Sequence, residues 1–106
     1  MGDAFGEALF HATLGDAYRG MNKFKDAEIS LLRALPVLRD LPSRRFHAVC
    51  LLKLGYTYEA MGSDKAIGHL EESVRVFSKL RLPRKAEQAQ QVLDRCRLAF
   101  PLGELA

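Results

Sequence analysis

Leu14-Gly15-Asp16-Ala17-Tyr18 and Leu54-Gly55-Tyr56-Thr57-Tyr58 are two copies of one pattern, beginning at positions 14 and 54. In each, a glycine follows a leucine and a tyrosine stands three residues beyond the glycine. A short pattern returning at such a period marks an array of helical hairpins, in which each unit buries its apolar face against the next. Working outward, Ala8 returns as Ala48, Ala27 as Ala66, Leu31 as Leu70 and Ala34 as Ser73. A glycine inside a helix costs ~1 kcal/mol relative to alanine. Gly15 and Gly55 therefore need a packing reason, and the close approach of a partner helix supplies one. Tyr18 and Tyr58 then wedge beside the same contact.

The spacing of apolar residues predicts five helices. The first runs from about Asp3 to Arg19, with a turn at 20–23. The second starts near Phe24 and carries Ala27, Leu31, Ala34, Leu35 and Leu38 on one stripe. Pro36 removes a backbone bond there, and the continuing stripe argues for a kink in the last turn. Ser43 is the expected N-cap of a third helix that reaches Met61 and is closed by Gly62. Ser63 or Asp64 opens the fourth, with Ala66, Leu70, Val74 and Phe77 inward. Leu82-Pro83 separates a fifth helix of about 84–99, and a tail follows over 100–106. No stretch alternates as a strand does. The expected domain is thus all-α: repeat 1 over about 3–39, repeat 2 over about 43–80, and a capping helix.

The order Leu-Gly-x-x-Tyr, then Ala-x-x-x-Leu, resembles the tetratricopeptide repeat, over nearly the whole chain. That family reads Trp-x-x-Leu-Gly-x-x-Tyr, then Ala-x-x-x-Phe. Here His11 and Leu51 replace the Trp, and Leu replaces the Phe. The longer unit resembles the family's extended class. The resemblance implies an α-solenoid whose concave groove is lined by the first helix of each hairpin. Carried over, the lining is Phe5, Leu9, Ala12, Asp16 and Arg19, then Arg45, Val49, Leu52, Tyr56 and Glu59, then Arg84, Gln88, Gln91 and Arg95. Four arginines against Asp16 and Glu59 leave that strip net positive, which suits an acidic or C-terminal segment. One subclass grips a C-terminal carboxylate with a Lys/Asn clamp. Ala12 and Asp16 stand at those positions, which excludes it.

The two ends of the array differ. Glu87, Gln90, Leu93, Asp94 and Arg97 occupy the side of the fifth helix where a further helix would pack. Four of these are strongly polar, as a solubilising cap requires. On the first helix, the equivalent face of the preceding side is Gly6, Phe10, Thr13 and Ala17, apolar and small. Either a longer array continues there, or the face pairs with another molecule, such as a second copy in a homodimer.

Composition bounds the rest. With 106 residues the chain is one domain. No apolar run reaches ~18 residues, so no membrane partner is expected. The first residues lack a signal peptide's pattern, and Cys50 and Cys96 do not suggest a disulfide framework. A reducing, cytoplasmic location is the expectation. Residues 75–97 hold seven basic side chains and two acidic ones. This is a solvated face or an attractor of an acidic protein; without aromatic platforms it is a poor nucleic-acid surface. His47 and Cys50 have a ligand-like i, i+3 spacing, but further ligands are scattered, so no metal is expected. A packed cysteine and a surface histidine are the expectation there. Nothing suggests a nucleophile or phosphate loop, so neither enzyme activity nor a cofactor is expected. The function expected is a protein-interaction scaffold. The alternative is the sensing end of a transcriptional regulator or signalling ATPase, where extended repeats of this family occur.

Overall fold

The structure, a computed structural model, describes residues 3–100. It contains five helices: α1 (Ala4–Gly20), α2 (Phe24–Arg39), α3 (Arg45–Ala60), α4 (Lys65–Lys79) and α5 (Pro83–Ala99). No strand occurs among the described residues. Of the tail expected at 100–106, only Phe100 falls within them, half-buried against the core.

Local chemistry sets the helix ends. The Asp3 carboxylate accepts a hydrogen bond from the Gly6 N–H at 2.9 Å. It satisfies one of the first-turn amides that no helical carbonyl reaches. Pro83 is the first residue of α5 rather than a separator before it. Its missing N–H costs nothing at that position, and its fixed φ suits the helix. Ser43 is not the cap of α3. Arg44 holds that position, and the Ser43 hydroxyl accepts from the Arg45 N–H two residues on, at 3.4 Å. That local turn competes with true capping.

Three of the helices end in the same way. Lys23 N–H donates to the Tyr18 carbonyl at 2.8 Å and Asn22 N–H to Arg19 at 3.0 Å. Ser63 and Gly62 repeat the pair onto Tyr58 and Glu59, and Leu82 and Arg81 onto Phe77 and Ser78. These are Schellman closures, which need a left-handed residue just past the helix. Asn22, Gly62 and Arg81 supply it, with φ of 61°, 68° and 58°.

The hairpins lock at their glycines. A Cβ on Gly15 would lie 2.6 Å from Leu31 Cγ, and one on Gly55 would lie 2.5 Å from Leu70 Cγ. Leu31 and Leu70 are fully buried. Each leucine fills the space that its glycine leaves empty. Between the hairpins, the Cys50 thiol donates to the Leu31 carbonyl at 3.5 Å. Within the second hairpin, the Ser73 hydroxyl donates to the Ala48 carbonyl at 2.9 Å. α2 continues through the exposed Pro36 to Arg39.

Each helix packs chiefly on its neighbours in sequence, and α3 also touches α1 and α5. α3 is therefore in contact with all four other helices. The molecule measures 51 × 32 × 23 Å with a radius of gyration of 13.8 Å. That is longer than a compact chain of this size, at about 13 Å. On α5, Ala89, Val92, Leu93 and Cys96 face inward. Leu93, expected on the outer polar side, is thus part of the core, whereas Glu87, Asp94 and Arg97 are exposed. Both cysteines are buried and free. Burial pushes the Cys50 thiol up to about 12, so it stays protonated and unreactive.

Candidate functional site

The candidate groove residues sit on α1, α3 and α5, and the structure joins several of them. Asp16 Oδ1 receives Arg19 at 3.1 Å, and its Oδ2 receives Lys53 Nζ at 2.7 Å. The Arg19 guanidinium lies 5.1 Å from the centre of the Tyr56 ring. Gln88 on α5 donates to the Tyr56 hydroxyl at 2.8 Å. One polar chain thus crosses three helices: Lys53, Asp16, Arg19, Tyr56, Gln88. A second link runs from α5 to α3, where Arg95 grips Glu59 with both Nε and an Nη at 2.9 Å. This fork raises the Arg95 pKa, with the Glu59 hydrogen bond as the largest cause. Partly exposed pairs of this kind contribute ~0.2–1 kcal/mol each, so they orient side chains more than they stabilise the fold.

Of the four arginines set against Asp16 and Glu59 on this strip, two, Arg19 and Arg95, are paired with those carboxylates. Arg45 and Arg84 are exposed and have no carboxylate within 4 Å among the described residues. Arg45 stands beside Leu9, Val49, Phe46 and Lys53 at a cleft of about 210 Å³ between α1 and α3. Phe46 meets Phe5 edge to face, with ring centres 5.4 Å apart. Arg84 lies apart, near Leu82 and Pro83 at the start of α5. Gln91 is exposed and makes no side-chain hydrogen bond within the described residues.

Two lining positions do not face solvent. Leu52 is 4% exposed and Ala12 is buried. α5 packs on α3, and Leu52 joins the core there instead of lining the groove. Two groups went unseen in the sequence. Lys53 is the second partner of Asp16, and Phe46 is the aromatic beside Arg45. Lys53 occupies the repeat position of Thr13, and Phe46 that of Gly6. Those departures from the repeat were the available signal.

The expected self-association face is only partly continuous. Phe10 is 61% exposed, and Ala17 is exposed beside it in register. Their equivalents in α3, Cys50 and Thr57, are 1% and 0% exposed because the first hairpin covers them. Gly6, however, sits under the Asp3 carboxylate, and Thr13 opens onto the α1–α3 cleft. The face therefore centres on Phe10 and Ala17.

His47 is not at the surface: it is 3% exposed. Its burial lowers its pKa, and the Arg44 and Arg39 charges lower it further. Among the described residues no three His, Cys, Asp or Glu side chains are grouped closely enough to hold a metal. No described helix is long and apolar enough to cross a membrane. No family model, curated protein or solved structure matches the chain.

Proposed function

We propose that the chain is a protein-interaction scaffold of tetratricopeptide-like type, which holds an acidic peptide segment along the α1–α3–α5 side. One observation carries this reading. The polar chain from Lys53 to Gln88 links three helices on that side, while Arg45 beside it and Arg84 at the start of α5 are exposed with no carboxylate partner among the described residues. A preorganised surface with unpaired guanidinium forks suits carboxylates presented on an extended segment. Phe46 and Val49 beside Arg45 add an apolar contact for the residue next to the acid. Nothing in this arrangement pairs a nucleophile with a base, which favours binding over chemistry.

The test is a display library of acidic and neutral peptides selected on the intact chain. Selected acidic sequences should bind the wild type and lose about tenfold or more in affinity on Arg45→Glu with Arg84→Glu. Both arginines are exposed, so the double variant should stay folded. Binders that ignore the double variant, or a selection without acidic preference, would place the interaction on another surface.

A further inference from the structure

A cleft of about 420 Å³ lies on the other side of α3, between α2 and α4. Its size falls within the range of small-molecule sites, ~300–1,000 Å³. Leu35 and Leu51 form apolar walls, and Gly68 leaves one wall without a side chain. Arg39 on α2 and Lys65 on α4 stand at its two edges, both exposed. Neither has a carboxylate within 4 Å among the described residues. The one carboxylate on the lining, Glu72, is taken by Arg75 on its own helix.

His47 also lines this cleft. It is more than nine-tenths buried, and its Nδ1 has no hydrogen-bond partner among the described residues. Buried ring nitrogens are nearly always paired, so an orphan at a cleft wall asks for a cause. Arg44 and Arg39 both bear on the same ring. The site therefore gathers positive charge around an apolar floor, and its one carboxylate, Glu72, is already paired with Arg75.

We propose that this cleft binds a small organic anion: a sulfonate, carboxylate or phosphate group carried on a compact apolar body. The charged group lies between Arg39 and Lys65, with His47 behind it, and the apolar body rests on Leu35 and Leu51. The site is separate from the α1–α3–α5 surface, so its failure and that of the peptide-binding reading are distinct results.

Benzenesulfonate is the chosen probe, since its charge is constant around neutral pH. It is titrated into the ¹⁵N-labelled chain, with sodium sulfate and benzyl alcohol in parallel. The expected result is saturable shifts in the second half of α2 and the first half of α4, with Kd about millimolar for a ligand this small. Sulfate and benzyl alcohol alone should each bind at least about tenfold more weakly, each lacking half of the recognition. The His47 ring signals should move toward the protonated form as the site fills. Arg39→Gln with Lys65→Gln should weaken benzenesulfonate about tenfold or more while leaving the spectrum folded. Unsaturable shifts, shifts confined to α1 and α5, equal binding of sulfate, or an unaffected double variant would each overturn the proposal. If His47→Gln does not fold, the double variant at the exposed edges still decides.

Discussion

Gly15 lies so close to Leu31 that a single methyl on the glycine would meet Leu31 Cγ at 2.6 Å. The contact sets the separation of α1 and α2, and Gly55 with Leu70 sets that of α3 and α4. Helix propensity alone favours Gly→Ala by ~1 kcal/mol. Overpacking a tight contact costs ~1–3 kcal/mol. Since both leucines are fully buried, steric cost should win. Gly15→Ala and Gly55→Ala should each lower stability by roughly 1–2 kcal/mol in urea unfolding. A gain in either would mean that its leucine swings clear, and that the close approach does not hold the hairpin.

The left-handed turn residues predict opposite signs at two sites. Gly62 has φ of 68°, a conformation that costs an L-residue roughly 1–2 kcal/mol. Gly62→Ala should destabilise by about 1 kcal/mol. Arg81 already bears that strain at φ of 58°, and Arg81→Gly should stabilise by up to ~1 kcal/mol. Paired thermal melts of the two variants check both signs together.

His47 makes the fold sensitive to mild acid. Its folded pKa lies below the usual 6.5, through burial first and then Arg44 and Arg39. Between that lowered value and 6.5 the unfolded chain binds the extra proton. Stability is therefore complete above 6.5 and falls as the pH drops below it. Urea midpoints of wild type and His47→Gln at pH 7.5 and 5.5 should show a smaller acid loss in the variant. Equal losses would mean that His47 takes up its proton without opening the fold.

Glu28 adds a second, lower window. It is buried on α2, where the Tyr58 hydroxyl chiefly lowers its pKa, burial opposes, and Lys25 at 3.2 Å assists. A depressed carboxyl contributes stability above its ordinary pKa, and that stability is lost as the pH falls through the folded value. Glu28→Gln should lose stability at pH 7 and converge with the wild type in strong acid. Curves that stay parallel down to pH 2 would remove Glu28 from the acid response.

Phe10 and Ala17 hold the repeat positions of Cys50 and Thr57, which the first hairpin buries. A two-fold contact between two α1 helices would cover Phe10 and Ala17, small residues permitting close approach. Phe10→Asp should then turn a dimer into a monomer with helical content intact, as read by sedimentation and circular dichroism. A wild type that stays monomeric at high concentration would assign the face to some other helix.

The hairpin architecture was legible because its determinants are local and repeat. The glycines, the leucines opposite them and the alanines at 8, 27, 48 and 66 carry the packing within a few residues of sequence. Helix ends were legible where one residue decides, as at Gly62. Ser43 misled because a serine can satisfy either a cap or a tighter turn. The site was harder. Asp16, Arg19, Tyr56 and Gln88 were found on one side, but the Asp16–Lys53 bridge depends on how α1 splays from α3. Leu52 and His47 lie at the borders of the α3 faces, where a small rotation of the helix decides between solvent and core. Sequence spacing does not fix that rotation.

Because α3 touches every other helix, it cannot come loose while the remainder stays packed. Either end helix, by contrast, can open while α3 and its remaining neighbours stay together. Amide protons of Leu51, Leu54 and Tyr58 should therefore exchange only through whole-molecule unfolding, while those of α1 and α5 exchange through smaller openings. Val49 and Tyr56, on the proposed peptide surface, and His47 and Leu51, on the α2–α4 cleft, belong to that same slow helix. Both surfaces are thus anchored on the part of the molecule that moves least, while the looser end helices bring Arg19 and Arg84 to one of them.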